Sequence, residues 1–530
     1  MINRRVQLER GHANSASDGD GEKPNPERAG SFHKNKRLCL SRGYFSIPSL
    51  QPATRHFALL FFACLLFHAA GTWSIPLIDR DEPRFAEASR EMIERGDYVI
   101  PYFNDEYRFD KPPLTYWAQA ASYKIFGQND FAARFPSAVA AALTALSIFA
   151  WGRRLGGERA GFGAAIIFSL SFQVIEHAKA AVADMWLVLF VTLAHWAGYE
   201  LIFGDSKRSQ FNRWWFAFYV SLAFAFLAKG PIGWAPLLTV GAAKIFLREP
   251  GFARRFKFVR GMALTLALVS LWGIPALIRT QGKFFAIGIG HHVLERSVSA
   301  LGGHGARSLG VYLVLLPFFF VTIFLSFFPW SLKLPWLVKR LRAARDKIDI
   351  YLLCGIAVVF VIFTFMTTKL LHYTLPAFPL LALLLARRLS AENETGFVKK
   401  TATAMTVVCV VIMLVAPPCI GQFFPARALF RQARDYLKPE MTFAALDYRE
   451  PSLVWYFRSR VRGFMRTWEM HPGTVQPFME QTGPRFVVVP TAVANKVYPQ
   501  LPNGWKSFSF RGFNAVKARR SDLTLILKPE

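Results

Sequence analysis

The sequence has 530 residues, of which 53% are hydrophobic and 15% aromatic, and it carries a formal charge of +29 with only 19% charged residues. A soluble domain has about a quarter of its residues charged, so this composition excludes an ordinary soluble enzyme and a disordered protein. The five cysteines fall into no zinc-binding or CxxC spacing, and a disulfide scaffold is excluded as well. The excess of Lys and Arg requires a partner, which is nucleic acid, an acidic lipid surface or a phosphorylated substrate.

The first 56 residues differ in composition from the rest of the chain. They hold ten basic and five acidic residues among Ser, Asn, Gly and Pro, which is too polar to build a core. We therefore predict that 1–56 is a disordered basic cytoplasmic tail. The apolar run that follows, Phe57 to Ile78, has 22 residues without a formal charge and is long enough to cross a hydrocarbon layer of ~30 Å. It predicts a retained transmembrane helix.

Ten further apolar runs predict transmembrane helices, which brings the predicted number to about eleven within a membrane domain at 57–421. These runs are 132–152, 160–177, 184–203, 214–228, 231–247, 261–280, 309–332, 348–368, 370–386 and 401–421.

Loop charges predict the orientation, because short cytoplasmic loops collect Lys and Arg. With the N-terminus inside, the inside loop at 333–347 holds six basic residues. The first outside loop, 79–131, holds eleven acids against seven bases between Asp79 and Asp130. An odd number of spans then places residues 422–530 outside. There, strand-like runs at 486–489 and 523–527 and an amphipathic helix at 427–437 predict a small soluble α/β domain.

The first outside loop contains two segments with helical patterns. Asp81 and Glu82 follow the first span directly, and Phe85 begins an amphipathic pattern that predicts a helix lying flat on the bilayer. Asp81 can also be read as a simple helix cap. Aromatic spacing predicts a second interfacial helix over 115–126, entered through Pro112 and Pro113. Lys111 directly precedes these two prolines and is a candidate anion ligand.

Other ionisable residues interrupt apolar sequence at the predicted outside ends of helices. Such groups are expensive at membrane depth and are candidates for function, although snorkelling at helix ends is the alternative. All of them fall on the outside face under a topology that was assigned from other charges. They are Asp184, Lys229, Lys369, His372 and Tyr373, together with His291, His292, Arg296 and His304 in the loop 281–308.

Several motifs at these positions resemble the polyprenyl-phosphate-sugar-dependent glycosyltransferases, a family that includes the aminoarabinose transferase of lipid A and the dolichyl-phosphate-mannose protein mannosyltransferases. The resemblance implies a class C glycosyltransferase fold with two juxtamembrane helices in the first external loop. It also implies an active site on the periplasmic face of a bacterial inner membrane. The matching motifs are 78–87, 108–117, 126–137, Asp184-Met185, 229–233 and 368–376.

The resemblance also implies roles for individual residues. Asp81 resembles the acidic residue that acts on the acceptor or the sugar, and Lys111 and Tyr373 resemble phosphate ligands, with Arg296 as a third. Asp110, with His291 or His292, lies near the family's metal-ligand positions, so a divalent metal is compatible with the sequence but not required by it. The candidate catalytic residues are thus Asp81, Glu82 and Asp184, and the candidate substrate-binding residues are Lys111, Arg296, Tyr373, Lys229, Lys369 and His372.

The leading hypothesis is a membrane glycosyltransferase that uses a polyprenyl-phosphate-linked sugar donor and a glycolipid, such as a lipid A-like molecule, or a protein as acceptor. A phosphate leaving group needs cations, and the acceptor hydroxyl needs a carboxylate base, for which Asp81 is preferred. Single displacement with inversion is the simplest course, whereas retention needs a second carboxylate, Glu82 or Asp184. The alternative class is a lipid or solute transporter. Nucleic acid is disfavoured, because the basic residues are divided among short loops.

Overall fold

The computed structural model describes residues 52–204, 212–249, 251–288, 308–420, 423–466, 471–514 and 519–530. Residues 1–51 of the predicted tail lie outside this range. Arg296, His291, His292 and His304, which the sequence analysis singled out, lie outside it as well.

Twenty helices form most of the described chain. They are α1 (Pro52–Ala69), α2 (Asp81–Arg95), α3 (Leu114–Phe126), α4 (Asp130–Ser169), α5 (Phe172–Ala178), α6 (Asp184–Phe203), α7 (Arg213–Lys229), α8 (Ala235–Leu247), α9 (Phe252–Phe256), α10 (Phe258–Arg279), α11 (Leu309–Val314), α12 (Phe318–Ser326), α13 (Leu334–Ala343), α14 (Lys347–Phe365), α15 (Phe378–Ala391), α16 (Thr395–Ile420), α17 (Pro425–Ala433), α18 (Pro451–Phe457), α19 (Val475–Glu480) and α20 (Thr491–Val497). Short 3₁₀ turns include Pro231–Trp234, Trp330–Lys333 and Leu371–Ala377.

The protein is a multi-pass membrane protein. Within the described ranges, six helices are long and apolar enough to cross a membrane, or seven if the bent pair Phe318–Ser326 and Trp330–Ala343 is one span. Two shorter apolar helices, Arg55–Ala69 and Pro231–Leu247, accompany them. This number is below the predicted eleven because several of the predicted runs fold as short or broken helices.

The predicted spans at 132–152 and 160–177 form a helical hairpin whose turn lies within α4. The backbone of α4 leaves helical geometry at Gly156 and at Gly157, where φ is +81°. Glycine tolerates this left-handed φ without a steric penalty. Gly152 and Gly161 face each other across the hairpin so closely that a Cβ atom on Gly152 would lie 2.9 Å from the Gly161 Cα. The missing side chains therefore let the two arms touch.

The charge-free run from Leu309 to Leu332 does not form the single straight helix that its composition predicts. It is divided into α11, α12 and the turn at Trp330–Lys333, and the axis bends by 117° between α12 and the following helical segment. Pro317 and Pro329 stand at the two breaks. Proline lacks the N–H that continues a helix, and hydropathy alone does not register this effect.

The C-terminal segment folds on a five-stranded mixed sheet, which confirms the predicted small sheet domain. Its strands, after a small β1–β2 hairpin (Tyr102–Phe103 and Glu106–Tyr107), are β3 (Thr442–Ala445), β4 (Met465–Arg466), β5 (Arg485–Pro490), β6 (Lys506–Asn514) and β7 (Arg519–Lys528), in the order β4-β3-β5-β7-β6. β3 pairs in parallel with β4 and β5, and the β5–β7 and β6–β7 pairs are antiparallel. Alternate side chains of β5 enter cores on opposite faces, so its apolar run is continuous.

The charged face of helix α2 is covered by protein and not by water. Glu87, Arg90 and Glu91 are all buried, because α18 of the C-terminal domain covers that face. Arg458 binds the carboxylates of Glu87 and Glu94, and Arg90 donates to the Trp455 carbonyl at 2.9 Å. The amphipathic pattern is correct, but its polar side meets protein and not solvent.

Asp79 joins the end of the first span to the C-terminal domain. Its carboxylate accepts hydrogen bonds from the Ser452 backbone N–H at 2.8 Å and the Ser452 hydroxyl at 2.6 Å. Burial raises the pKa of Asp79 to about 7, against the lowering effect of these two bonds. Burial and the neighbouring Glu87 carboxylate raise the pKa of Glu91 to about 7 as well. Both carboxyls therefore favour the protonated form in the folded protein.

These raised pKa values predict that the fold loses stability as the pH rises from about 4 to about 7. The contribution of Asp79 is fully present below its unfolded pKa of about 4 and is lost as the pH rises through its folded pKa of about 7. Asp79→Asn should therefore flatten the fall of the apparent unfolding temperature, with Glu91 supplying the remaining slope. Thermal unfolding of the detergent-solubilised protein measures this, and the exposed Asp435→Asn is the control. An identical slope in Asp79→Asn and the control would contradict the assignment.

Candidate active site

A cavity of about 560 Å³ lies where the loop 79–131 meets the ends of several membrane helices. Its polar lining comes from Asp110 and Lys111 before α3, from the ends of α6 and α7, and from the Leu371–Ala377 turn. The remaining wall is apolar. It includes Phe226, Trp234, Leu237, Leu238, Ile362, Phe363 and Met366.

Asp184 and Lys229 form an ion pair at the polar end of this cavity. The Lys229 Nζ lies 2.5 Å from Asp184 Oδ1, and His372 Nε2 lies 4.0 Å from the same oxygen. Asp184 opens α6, and Lys229 closes α7. Gly230, with φ +81°, turns the chain sharply after Lys229 into Pro231. The Lys-Gly-Pro sequence thus ends one helix where its last side chain faces the carboxylate.

Lys111 and Tyr373 lie on the same cavity wall as this pair. Lys111 is half-buried, and its Nζ donates to the Asp110 carbonyl at 3.1 Å. The Tyr373 ring packs against Phe363, and the Lys229 Nζ lies 6.0 Å from its centre. Five of the nine candidate residues, Lys111, Asp184, Lys229, His372 and Tyr373, therefore line one cavity.

Asp81 lies outside the cavity lining but interacts electrostatically with Arg84 and Arg108. It is exposed at the start of α2, whose N-cap is Arg80 without a side-chain cap, so Asp81 is not the predicted N-cap. Burial alone would lower the pKa of Arg108, but Tyr116, Asp110 and Asp81 raise it above its ordinary value. Arg108 also binds Asp110 at 2.9 Å. Arg108 thus links Asp81 electrostatically to the cavity wall.

Glu82, the second candidate carboxylate, forms a buried ion pair with Arg134 that holds neighbouring segments together. Its two oxygens accept four hydrogen bonds of 2.7 Å, two from Arg134 and one each from the Ile78 and Ala181 backbone N–H groups. Both side chains of the ion pair are buried. A carboxylate held in this way has no lone pair left for a nucleophilic role, so we reassign Glu82 to positioning.

Lys369 also departs from its predicted role, because it lies outside the cavity lining. Its Nζ is directed at the end of α14, where it donates to the carbonyls of Phe363 at 3.0 Å and Thr364 at 2.6 Å. The last carbonyls of a helix lack partners within the helix and attract cations. Lys369 therefore stabilises the end of α14 in this structure. Arg296 lies outside the described residues.

His177, which the sequence analysis did not single out, lies beside the ion pair. His177, Asp184 and His372 each place one ligand atom within 4.8 Å of the others, and the two histidine rings are 5.0 Å apart. A signal was available, since His177 is an ionisable residue near the predicted outside end of an apolar run. It lies seven positions before Asp184.

Comparisons with known proteins identify relatives of this chain in sequence and in fold. Residues 110–274, which contain Lys111, Asp184 and Lys229, match the dolichyl-phosphate-mannose-protein mannosyltransferase family. The chain is 26% identical over 361 residues to undecaprenyl phosphate-alpha-4-amino-4-deoxy-L-arabinose arabinosyl transferase 2 of Proteus mirabilis, with 64% of this chain and 63% of that protein covered. It is 30% identical over 330 residues to the corresponding transferase of Edwardsiella ictaluri, with 59% and 56% covered. The match spans less than two thirds of each relative.

The fold is that of a solved membrane protein. The crystal structure of ArnT from Cupriavidus metallidurans bound to undecaprenyl phosphate superposes with a TM-score of 0.73 at 19% identity, covering 89% of this chain and 98% of that one. Its apo state gives a TM-score of 0.68. The class C glycosyltransferase fold is thereby confirmed, as is the resemblance to polyprenyl-phosphate-sugar-dependent glycosyltransferases that the sequence motifs carry.

The reassignment of Glu82 predicts a loss of stability on substitution. Glu82→Ala leaves Arg134 buried without its carboxylate, and breaking a buried ion pair costs about 3–5 kcal/mol. Thermal unfolding and the yield of folded protein measure the effect. The neighbouring, exposed Asp81→Asn is the matched control and should change stability by less than about 0.5 kcal/mol. A Glu82→Ala protein that folds as stably as the parent but lacks activity would restore the catalytic role.

Proposed function

We propose that this protein is an integral membrane glycosyltransferase. It transfers a sugar from a polyprenyl-phosphate-linked donor to a lipid, such as a lipid A-like glycolipid, or to a protein acceptor on the periplasmic face of a bacterial inner membrane. The observation that carries this proposal is the cavity in which Lys111, Lys229 and Tyr373 meet an extended apolar wall. The names of the relatives, which are undecaprenyl-phosphate sugar transferases, support the same class of donor.

The cavity fits the two chemical parts of such a donor. Lysine ammonium groups and a tyrosine hydroxyl can donate to a lipid phosphate and stabilise the negative charge that develops on it as the sugar departs. The apolar residues of α7 and α8 suit the prenyl chain. Leu238 supports an entrance from the bilayer, because it lines the cavity and is also 57% exposed on the outer side of α8.

The acceptor hydroxyl needs a base, and Asp81 remains the preferred one. It is exposed, interacts electrostatically with Arg84 and Arg108, and is not held by a buried ion pair. Asp184 is less suited, since its carboxylate is paired with Lys229. In the proposed reaction the acceptor oxygen attacks the anomeric carbon, the bond to the phosphate oxygen breaks, and the proton passes to Asp81. The lipid phosphate leaves with the bonding electrons.

The proposed side of the reaction follows from loop charges. The cavity is built by the acidic first loop, whereas the basic loop at 333–347 belongs to the predicted cytoplasmic face. This distribution supports a cytoplasmic N-terminus, a periplasmic cavity and a periplasmic C-terminal domain.

Loss of single residues tests the assignment. In a deletion strain complemented with variants, Asp81→Asn and Lys111→Ala should each lower product formation at least about 100-fold. Mass spectrometry of lipids and glycans identifies the product as the mass that disappears on deletion. Glu106→Gln and Lys124→Ala, which are exposed in the same loop, are matched controls. Full activity of both active-site variants would contradict the proposal, as would vesicle uptake without a covalent product.

The stereochemistry of the product is a separate prediction. A retaining reaction needs a carboxylate nucleophile at the anomeric carbon. Glu82 accepts four hydrogen bonds, and Asp184 is held by Lys229, so neither is well placed for that role. We therefore expect inversion, which NMR coupling constants of the purified donor and product will report. The same anomeric configuration in both would contradict single displacement.

A further inference from the structure

Three metal-ligating side chains converge beside the cavity from three separate elements. His177 lies near the end of α5, Asp184 opens α6, and His372 lies in the Leu371–Ala377 turn. One ligand atom from each lies within 4.8 Å of the others. His177 and Asp184 are each 8% exposed, whereas the His372 side chain is 24% exposed and lines the cavity. The cluster is therefore buried on one side and open to the cavity on the other.

Hydrogen bonds hold the His177 ring and the backbone beside His372. The His177 Nδ1 lies 3.1 Å from the Gln173 carbonyl, which can only accept, so Nδ1 carries the proton and Nε2 is left as a ligand. Metal-binding histidines commonly donate their second ring N–H to a carbonyl in this way. The Gln173 amide, in the orientation that satisfies its neighbours, accepts from the His372 backbone N–H at 2.9 Å and donates to the Leu371 carbonyl at 3.0 Å, which fixes the turn that carries His372.

Lys229 occupies one oxygen of the Asp184 carboxylate but leaves the other. Its Nζ lies 2.5 Å from Oδ1. Carboxylates that bind metals commonly accept hydrogen bonds on the outer side, so a cation can share this carboxylate with the lysine. Lys229 is also the competing occupant, since its ammonium already balances the carboxylate.

We propose that His177, Asp184 and His372 bind Zn²⁺. Two imidazoles and one carboxylate are a ligand set that zinc prefers, with a fourth position left for water or substrate. The opening beside His372 directs that position into the cavity, where it would take an oxygen of the donor phosphate or the acceptor. The inference deepens the proposed function at the same site, but metal binding is measurable without any turnover.

Metal analysis of the purified full-length protein tests the proposal. After chelator treatment and equilibration with Zn²⁺, we expect about one zinc per chain, and Co²⁺ should give the visible absorption of a site with nitrogen and oxygen ligands. These measurements on the unsubstituted protein need no variant. His177→Ala and His372→Ala should each weaken Zn²⁺ binding at least about tenfold.

His195→Gln is the matched control, because this buried histidine on α6 has both ring nitrogens hydrogen-bonded, to Val191 and Thr239, away from the cluster. Zinc that is absent from the unsubstituted protein, or that is unaffected by both histidine variants, overturns the site. Binding that appears only in Lys229→Met also overturns it, since Lys229 is then the resident cation. A failure of the transferase assignment would instead appear in the mass spectrometry of lipids and glycans.

Discussion

The buried ion pair between Glu82 and Arg134 fixes the position of the external loop on the membrane helices. Arg134, near the start of α4, makes five hydrogen bonds of 2.6–2.9 Å, two to the Glu82 carboxylate and three to carbonyls between residues 72 and 76. Burying two charges is expensive, and such a pair persists only when its remaining hydrogen-bonding groups are satisfied. Here they are, which explains why a charged pair stands where the first span ends.

The active-site geometry depends on this pair through short connections. Glu82 also accepts from the Ala181 backbone N–H, three residues before Asp184, so the same carboxylate aligns the start of α6 with the start of α2. Asp81 is adjacent to Glu82 in the chain. The proposed base and the carboxylate of the cavity ion pair are therefore both positioned by Glu82.

Much of the site could be predicted from the sequence, because topology alone brings helix ends to one face. Loop charges placed Lys111, Asp184 and Lys229 on the outside, and the structure brings them to one cavity. The direction of a buried charge could not be predicted in the same way. Lys369 stands at a helix end like Lys229, yet it binds backbone carbonyls. The difference lies in which acceptor is nearest after packing, which a linear pattern does not contain.

In the fold, likewise, features that depend on local sequence could be predicted, whereas features that depend on packing could not. Strands at 486–489 and 523–527 follow from composition, and Gly156-Gly157 turns α4 at the predicted loop. The charged face of α2 could not be assigned to the C-terminal domain, since amphipathic helices look alike whether water or protein covers them. One apolar core contains Leu77 and Ala132 as well as Leu429. Residues on both sides of the predicted domain boundary at residue 421 therefore share one apolar core.

Most of the basic residues that give the chain its net charge of +29 lie outside the described cavity lining. The described lining of the cavity contains two carboxylates and two ammonium groups, and Arg108 outside the lining pairs with one of the carboxylates, Asp110. Attraction between exposed charges is screened beyond about 10 Å in salt, and distant basic loops therefore contribute little at the cavity. In the proposed function, recognition of a phosphate therefore rests on a few donors at hydrogen-bond distance.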